Sequence, residues 1–247
     1  MTECSYHIMP DGRRIAYRYS PPADDKAAPA LVFLPGYMSD MDGGKATALF
    51  DRCRETGRAC LLLDYSGCGH SDGDFAAGTL SRWRDEVMAL IEACIDRPVV
   101  LVGSSMGGWL MLLVGLALGD RLAGLIGIAA APDFTRWGYD GAQRTALSSG
   151  ETVYEDNPYG PEPTPTHPAF FRDAEENLLL DSEIAIDCPV RLLHGQADTD
   201  VPHDISLRLA EALANDDVVI TLVKDGDHRL SREQDIERLL QIVKEIA

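Results

Sequence analysis

Residues 99–108 constrain the fold more than any other stretch. Val99-Val100-Leu101-Val102 is a run of β-branched and aliphatic residues, the pattern of a fully buried strand. The run stops at Gly103, and an apolar helical stretch begins just after Ser105. Between them lies Gly103-Ser104-Ser105-Met106-Gly107, a G-x-S-x-G pentapeptide. A serine at the tip of a tight strand-to-helix turn sits in strained backbone, and the residues two before and two after it crowd that turn. Glycine at both places lets the chain pass and leaves the Ser105 hydroxyl exposed at the C-terminal end of a sheet. The register selects Ser105 over Ser104, which would be flanked at the same spacing by Val102 and Met106.

The pattern around this turn predicts a class. Ser5–Met9 and Arg14–Tyr19 read as two strands joined at the turn signal Pro10-Asp11-Gly12. Ala30–Leu34 and Ala59–Asp64 read as buried strands, with a helix over Lys45–Glu55 stopped by Gly57. Thr79–Ile95 has Trp83, Val87, Leu90, Ile91 and Cys94 at helical spacing, and Leu122–Ala130 is the next strand. Alternating strands and helices with continuously apolar strands predict an α/β fold, a mostly parallel sheet covered on both faces. The periodicity breaks over 133–185, where helices are expected at Thr135–Leu147 and Pro168–Leu180. Between them, Asn157–Pro165 is too rich in proline and glycine for a helix or a central strand. We expect a core of 1–132 and 186–247 with 133–185 inserted as a cap. Beyond it, strands at Pro189–Leu193 and Val218–Val223 alternate with helices at Ile205–Leu213 and Arg232–Ile246, the last one opened by a Ser231/Gln234 capping box.

A chain of 247 residues suits one such domain. A formal charge of -18 argues against nucleic acid or anionic lipid as the main partner. The six cysteines form no C-x-x-C pair or zinc pattern, which points to a reducing compartment. Met1–Pro10 lacks the pattern of a signal peptide, and the longest apolar run, Trp109–Leu118, falls short of the roughly 20 residues that span a bilayer. A cytoplasmic protein is therefore expected, with no integral membrane segment. No residue pattern calls for a metal or cofactor, and the oligomeric state stays open.

A serine hydroxyl needs a base, and the base needs an orienting carboxylate. In open parallel sheets functional residues gather at the carboxyl ends of strands. Asp198 and Asp200 both follow the strand ending at Leu193, and His228 follows the strand ending at Val223. Ser105, Asp198 and His228 stand in the chain order that this architecture uses. Asp200 is an alternative acid, better placed as a helix cap or solvated charge, and His70 is the second-choice histidine. His194 reads as a structural residue bonded to loop backbone, while His7, His167 and His203 read as surface residues. Two backbone N–H groups are expected to hold an oxyanion, one from Met106 and one from Tyr37 in the loop after the third strand. The helix after Ser105 adds a favourable dipole. Arg136, Arg144 and Arg172 in the cap read as solvated charges, with recognition of a carboxylate or sugar acid as the alternative.

These motifs resemble the serine α/β hydrolases over nearly the whole chain. Leu34-Pro35-Gly36-Tyr37, Asp64-Tyr65-Ser66-Gly67, Gly103–Trp109, Leu192-Leu193-His194-Gly195 and Asp227-His228-Arg229 together resemble a mitochondrial acyl-protein thioesterase and acyl-glucuronide esterase branch of that superfamily. The resemblance implies a metal-free Ser105-Asp198-His228 triad that cleaves esters or thioesters. The expected substrate is a small-molecule ester or acyl thioester, or an acylated protein. Two other readings of the same residues are an amidase or peptidase, and a receptor-like binder with little turnover.

Overall fold

The computed structural model describes residues 4–24, 28–158 and 160–246. Met1–Glu3 of the N-terminal stretch and Tyr159 of the Pro-rich stretch lie outside them. The chain begins with an antiparallel hairpin of β1 (Ser5–Ile8) and β2 (Arg14–Ser20). The alternation follows as β3 (Ala30–Leu34), α1 (Gly44–Thr56), β4 (Cys60–Leu63), α2 (Leu80–Cys94), β5 (Val99–Ser104), α3 (Met106–Leu118) and β6 (Leu122–Ile128). The intervening segment holds α4 (Phe134–Trp137), α5 (Gly141–Ser149), β7 (Val153–Glu155), β8 (Thr164–Thr166) and α6 (Pro168–Glu176). The alternation resumes with β9 (Val190–Gly195), α7 (Asp204–Ala212), β10 (Val218–Val223) and α8 (Glu233–Ile246).

Eight strands form one sheet in the order β1-β2-β4-β3-β5-β6-β9-β10. From β4 to β10 the neighbours run parallel, and β1 and β2 join antiparallel at one edge. Strand alternation sorts side chains between two layers. Leu31 and Phe33 of β3, with Val100 and Val102 of β5, pack against Leu49 and Phe50 of α1 and Leu239 and Ile242 of α8. Val32, Leu34 and Leu101 face the other way, onto Trp83 and Leu90 of α2, Trp109 and Leu112 of α3 and Leu209 of α7. Each such side chain contributes about 1.5–3 kcal/mol when fully buried. Both faces of β3, β4 and β5 are covered, which is why those strands read as continuous apolar runs. The strand order reverses between β3 and β5, so the loops leaving their C-terminal ends open into one crevice.

Two local expectations are corrected, and a third is met in an unforeseen form. The helix anticipated at Thr135–Leu147 is two helices. Asp140 caps the second by accepting from the Ala142 and Gln143 N–H groups at 2.8 Å, while the Gln143 side chain bonds back to the Asp140 N–H. That reciprocal cap outweighs the continuity of the helical pattern. The described residues of the Pro-rich stretch enter neither a helix nor the central sheet, as expected, but its end forms a ribbon, β8 paired antiparallel with β7, with Pro165 opposite Tyr154. A two-stranded ribbon tolerates proline because one side of each strand has no ladder partner. At α8 the Ser231 hydroxyl donates to the Arg229 carbonyl, and it is the Asp235 carboxylate that accepts from the Arg232 N–H at 3.3 Å. The acid wins that place because its guanidinium partner, Arg232, holds it there at 2.7 Å.

Candidate active site

Ser105 occupies the position before α3, at φ +56 and ψ -122. A residue with a Cβ pays strain in that region, so the surrounding structure must hold it. Its N–H donates to the Ile128 carbonyl at 2.9 Å, and its carbonyl accepts from Gly108 and Ala131 N–H groups at 2.8 and 3.0 Å. A serine in this place commonly caps its helix, yet the Ser105 hydroxyl makes no cap hydrogen bond. It stands 3.1 Å from Nε2 of His228 instead. Gly107 is required by closeness: a Cβ there would lie 2.2 Å from the Leu34 carbonyl oxygen and 2.4 Å from that of Pro35. The helix start therefore rests directly on the loop after β3.

The other two residues arrive from the ends of β9 and β10. Those strands pair in register, His194 beside Leu222 and Gly195 beside Val223. The loops beyond them touch backbone to backbone, with the Ala197 N–H donating to the Gly226 carbonyl at 2.9 Å. His228 is thereby brought over Asp198, its Nδ1 2.9 Å from Oδ2. The other Asp198 oxygen accepts from the Asp200 and Val201 N–H groups, both at 2.9 Å. Burial works to raise the Asp198 carboxyl, but hydrogen bonds from His194 and His228 outweigh it and hold the group well below the usual carboxylate range.

His194 is the structural residue bonded to loop backbone that the sequence suggests, but sequence reasoning missed its contact with Asp198. Its ring is fully buried, with Nδ1 2.7 Å from the Ser206 hydroxyl and Nε2 3.0 Å from the Val201 carbonyl. The same Nε2 lies 3.2 Å from Asp198 Oδ2. The four-residue step from His194 to Asp198 was the available signal. Also missed was Lys45, on the first turn of α1, whose ammonium donates to the carbonyl of Arg229, the residue after His228. Burial pulls its pKa down to about 8.

Ser105, His228, Met106 and Tyr37 line one cavity of about 600 Å3, together with Lys45, Asp200 and Arg229 from the core and Phe134, Trp137, Tyr139, Glu155 and Thr166 from the 133–185 segment. The first-turn N–H groups of an α-helix have no intrahelical partner, which applies to Met106 at the head of α3. Tyr37 stands at the centre of an aromatic cluster with Phe75, Trp83, Phe134 and Phe170, ring centroids 5.0–6.3 Å apart, and its hydroxyl donates to the Pro165 carbonyl at 3.1 Å. This cluster ties the loop after β3 to the 133–185 segment. His70 pairs with Asp42 at 3.1 Å and is not among the cavity residues. Arg136 pairs with Glu175 at 3.0 Å, and neither it, Arg144 nor Arg172 lines the cavity. Among the described residues no cluster of His, Cys, Asp and Glu is arranged to hold a metal ion, and no helix is long and apolar enough to cross a membrane.

Comparison with known proteins places these features in context. Residues 31–242 match the model of the alpha/beta hydrolase family. The human palmitoyl-protein thioesterase ABHD10, named as mitochondrial, is 35% identical over 99% of this chain and 80% of its own length. Its mouse counterpart is 39% identical over 88% of this chain and 75% of its own length. The structure of mouse alpha/beta hydrolase domain-containing protein 10 superposes with a TM-score of 0.90 at 33% identity, covering 99% of this chain and 98% of that one. The mitochondrial names of these relatives overturn the expected cytoplasmic location. A compartment address is read by receptors and not by the packed core, so acidity and scattered thiols carry no information about it.

Proposed function

The chain belongs to the alpha/beta hydrolase family, and from that premise we propose that it is a serine hydrolase that cleaves carboxylic esters or thioesters through an acyl-enzyme on Ser105. The observation that carries this reading is the line of contacts from the Ser105 hydroxyl to His228 at 3.1 Å and from His228 to Asp198 at 2.9 Å. Ser105 Oγ attacks the substrate carbonyl while His228 Nε2 takes its proton. The carbonyl oxygen becomes an oxyanion, held by the backbone N–H groups of Met106 and Tyr37. Collapse breaks the bond to the alcohol or thiol, which leaves with the proton from His228. Water then gives a proton to His228 and attacks the acyl-serine; as the bond to Ser105 Oγ breaks, His228 returns that proton to Oγ and the carboxylic acid is released. Asp198 accepts from Nδ1–H, which fixes the tautomer that leaves Nε2 free to act as base, and it stabilises the imidazolium that forms.

Residues 133–185 act as a cap in this reading, because Phe134, Trp137, Tyr139, Glu155 and Thr166 wall the cavity above Ser105. The names of the mammalian relatives favour an acyl thioester, free or on a protein, as substrate. The test is a fluorophosphonate probe, which transfers its phosphonyl group to an activated serine oxygen with loss of fluoride. Intact mass should rise by one adduct in the wild type and stay unchanged in Ser105→Ala. Labelling of both proteins, or of neither while both are folded, would overturn the assignment.

A further inference from the structure

A carboxylate withdrawn from water costs free energy unless its oxygens collect N–H or O–H donors. The buried acids of this fold meet that need. Asp64 accepts from the Met41 and His70 N–H groups at 2.7 and 2.8 Å. Asp133 accepts from those of Leu179 and Leu180 at 2.9 and 2.7 Å. Glu86 takes the Arg13 guanidinium and the Ser66 N–H at 2.9 Å. Glu155 differs. It is half-buried at the end of β7, and the hydrogen bond it receives comes from Gln143 Nε2 at 3.4 Å. That amide cannot move closer freely, since its oxygen is committed to the Asp140 N–H at 2.9 Å. No cation among the described residues forms an ion pair with Glu155. Burial pushes its carboxyl above the usual range, the direction expected of an acid short of donors.

Glu155 lines the cavity that Ser105 and His228 share. Around it the wall is polar. Thr164 is its partner across the ribbon, and the hydroxyls of Tyr139 and Thr166 lie 2.6 Å apart. We infer that Glu155 is a specificity-determining residue, which accepts a hydrogen bond from a hydroxyl or ammonium group that the substrate carries away from its scissile carbonyl. The inference rests on the hydrolase reading and narrows its substrate class. A donor at that point supplies what the fold withholds, an alkyl group leaves the carboxylate unpaired, and a second carboxylate is repelled.

The test uses the full chain and two matched ester series. In one, the acyl tip of a p-nitrophenyl hexanoate is methyl, hydroxyl, ammonium or carboxylate. In the other, the same tips end the alcohol of a pentyl hexanoate. In at least one series the hydroxyl or ammonium ester should exceed the methyl ester in kcat/KM by roughly tenfold or more, the scale of a hydrogen bond to a charged group. The carboxylate ester should fall below it. Glu155→Leu should level the series, and Glu155→Gln should remove the preference for ammonium. Methyl esters preferred in both series, or a donor preference unchanged in Glu155→Leu, would overturn the inference. A substrate-free measurement stands beside it: Glu155→Leu should melt at or above the wild-type temperature at pH 7. A lower melting temperature would show that the carboxylate is already compensated in the free protein, and would also overturn it. Failure of the hydrolase reading looks different, as absence of both ester turnover and Ser105 labelling.

Discussion

His194 Nε2 stands 3.2 Å from Asp198 Oδ2, the same oxygen that His228 Nδ1 meets at 2.9 Å. The proposed orienting acid is therefore gripped by two histidines and two backbone N–H groups, with Ser206 behind the buried one. His194→Gln keeps an amide donor near Asp198 and should retain most activity. His194→Phe removes the donor and should lower kcat by roughly tenfold to a hundredfold with less change in KM, the effect of losing a charge-assisted hydrogen bond. Ser206→Ala should show the same trend more weakly in a protein that folds normally. Steady-state kinetics across pH would check this. Equal losses in all three variants, tracking only their melting temperatures, would reduce His194 to a packing role.

Strain at Ser105 separates stability from activity. At φ +56 and ψ -122 a residue with a Cβ is disfavoured by about 1–3 kcal/mol, and glycine is not. Ser105→Gly should therefore be inactive yet more stable than Ser105→Ala. Urea unfolding of the two variants would measure the difference, and equal stability would mean that the turn holds no strain.

The Asp198 carboxyl, held low in the fold, ties stability to pH. A group whose folded pKa lies below its unfolded value, near 3.8, contributes stability above that value and loses it as pH falls through the folded one. Asp198→Asn should be less stable than wild type by about 1–3 kcal/mol at pH 7. The gap should narrow as the pH drops below 3.8. Urea titrations at several pH values would check it, and a gap that widens in acid would contradict the assigned hydrogen bonds.

The contact between α3 and the loop after β3 makes a sharp contrast between two glycines. A Cβ on Gly107 would lie 2.2 Å from the Leu34 carbonyl oxygen, whereas a Cβ on Gly44 would meet nothing within 4 Å. Gly107→Ala should cost several kcal/mol and activity together, because relief requires moving the loop that carries Tyr37. Gly44→Ala should be near neutral in melting temperature and in ester hydrolysis. Retention of full activity in Gly107→Ala would show that this loop does not position the oxyanion.

The strand-turn-helix at Ser105 was legible because its causes are local. Apolar runs mark buried strands, and paired glycines mark a turn too tight for side chains at either flank. The order of Ser105, Asp198 and His228 was legible for a similar reason, since each follows a recognisable strand. The break between α4 and α5 was also written locally, in Asp140 and Gln143, but the helical spacing of the apolar residues masked it.

Other features had no local signature. Nothing near Glu155 in the chain marks it as a cavity residue, because its neighbours there, Ser105, Tyr139 and Thr166, come from three separate segments. His194 could be read as structural, yet its hold on Asp198 depends on a loop folding back over the end of β9. The sequence by itself determined the α/β class, the strained serine and the candidates for its two partners, because periodicity and turn sterics act over a few residues. Only the tertiary structure decided which groups share the cavity and which acid in it receives a single long hydrogen bond, because desolvation and hydrogen-bond supply depend on every segment that packs around a group.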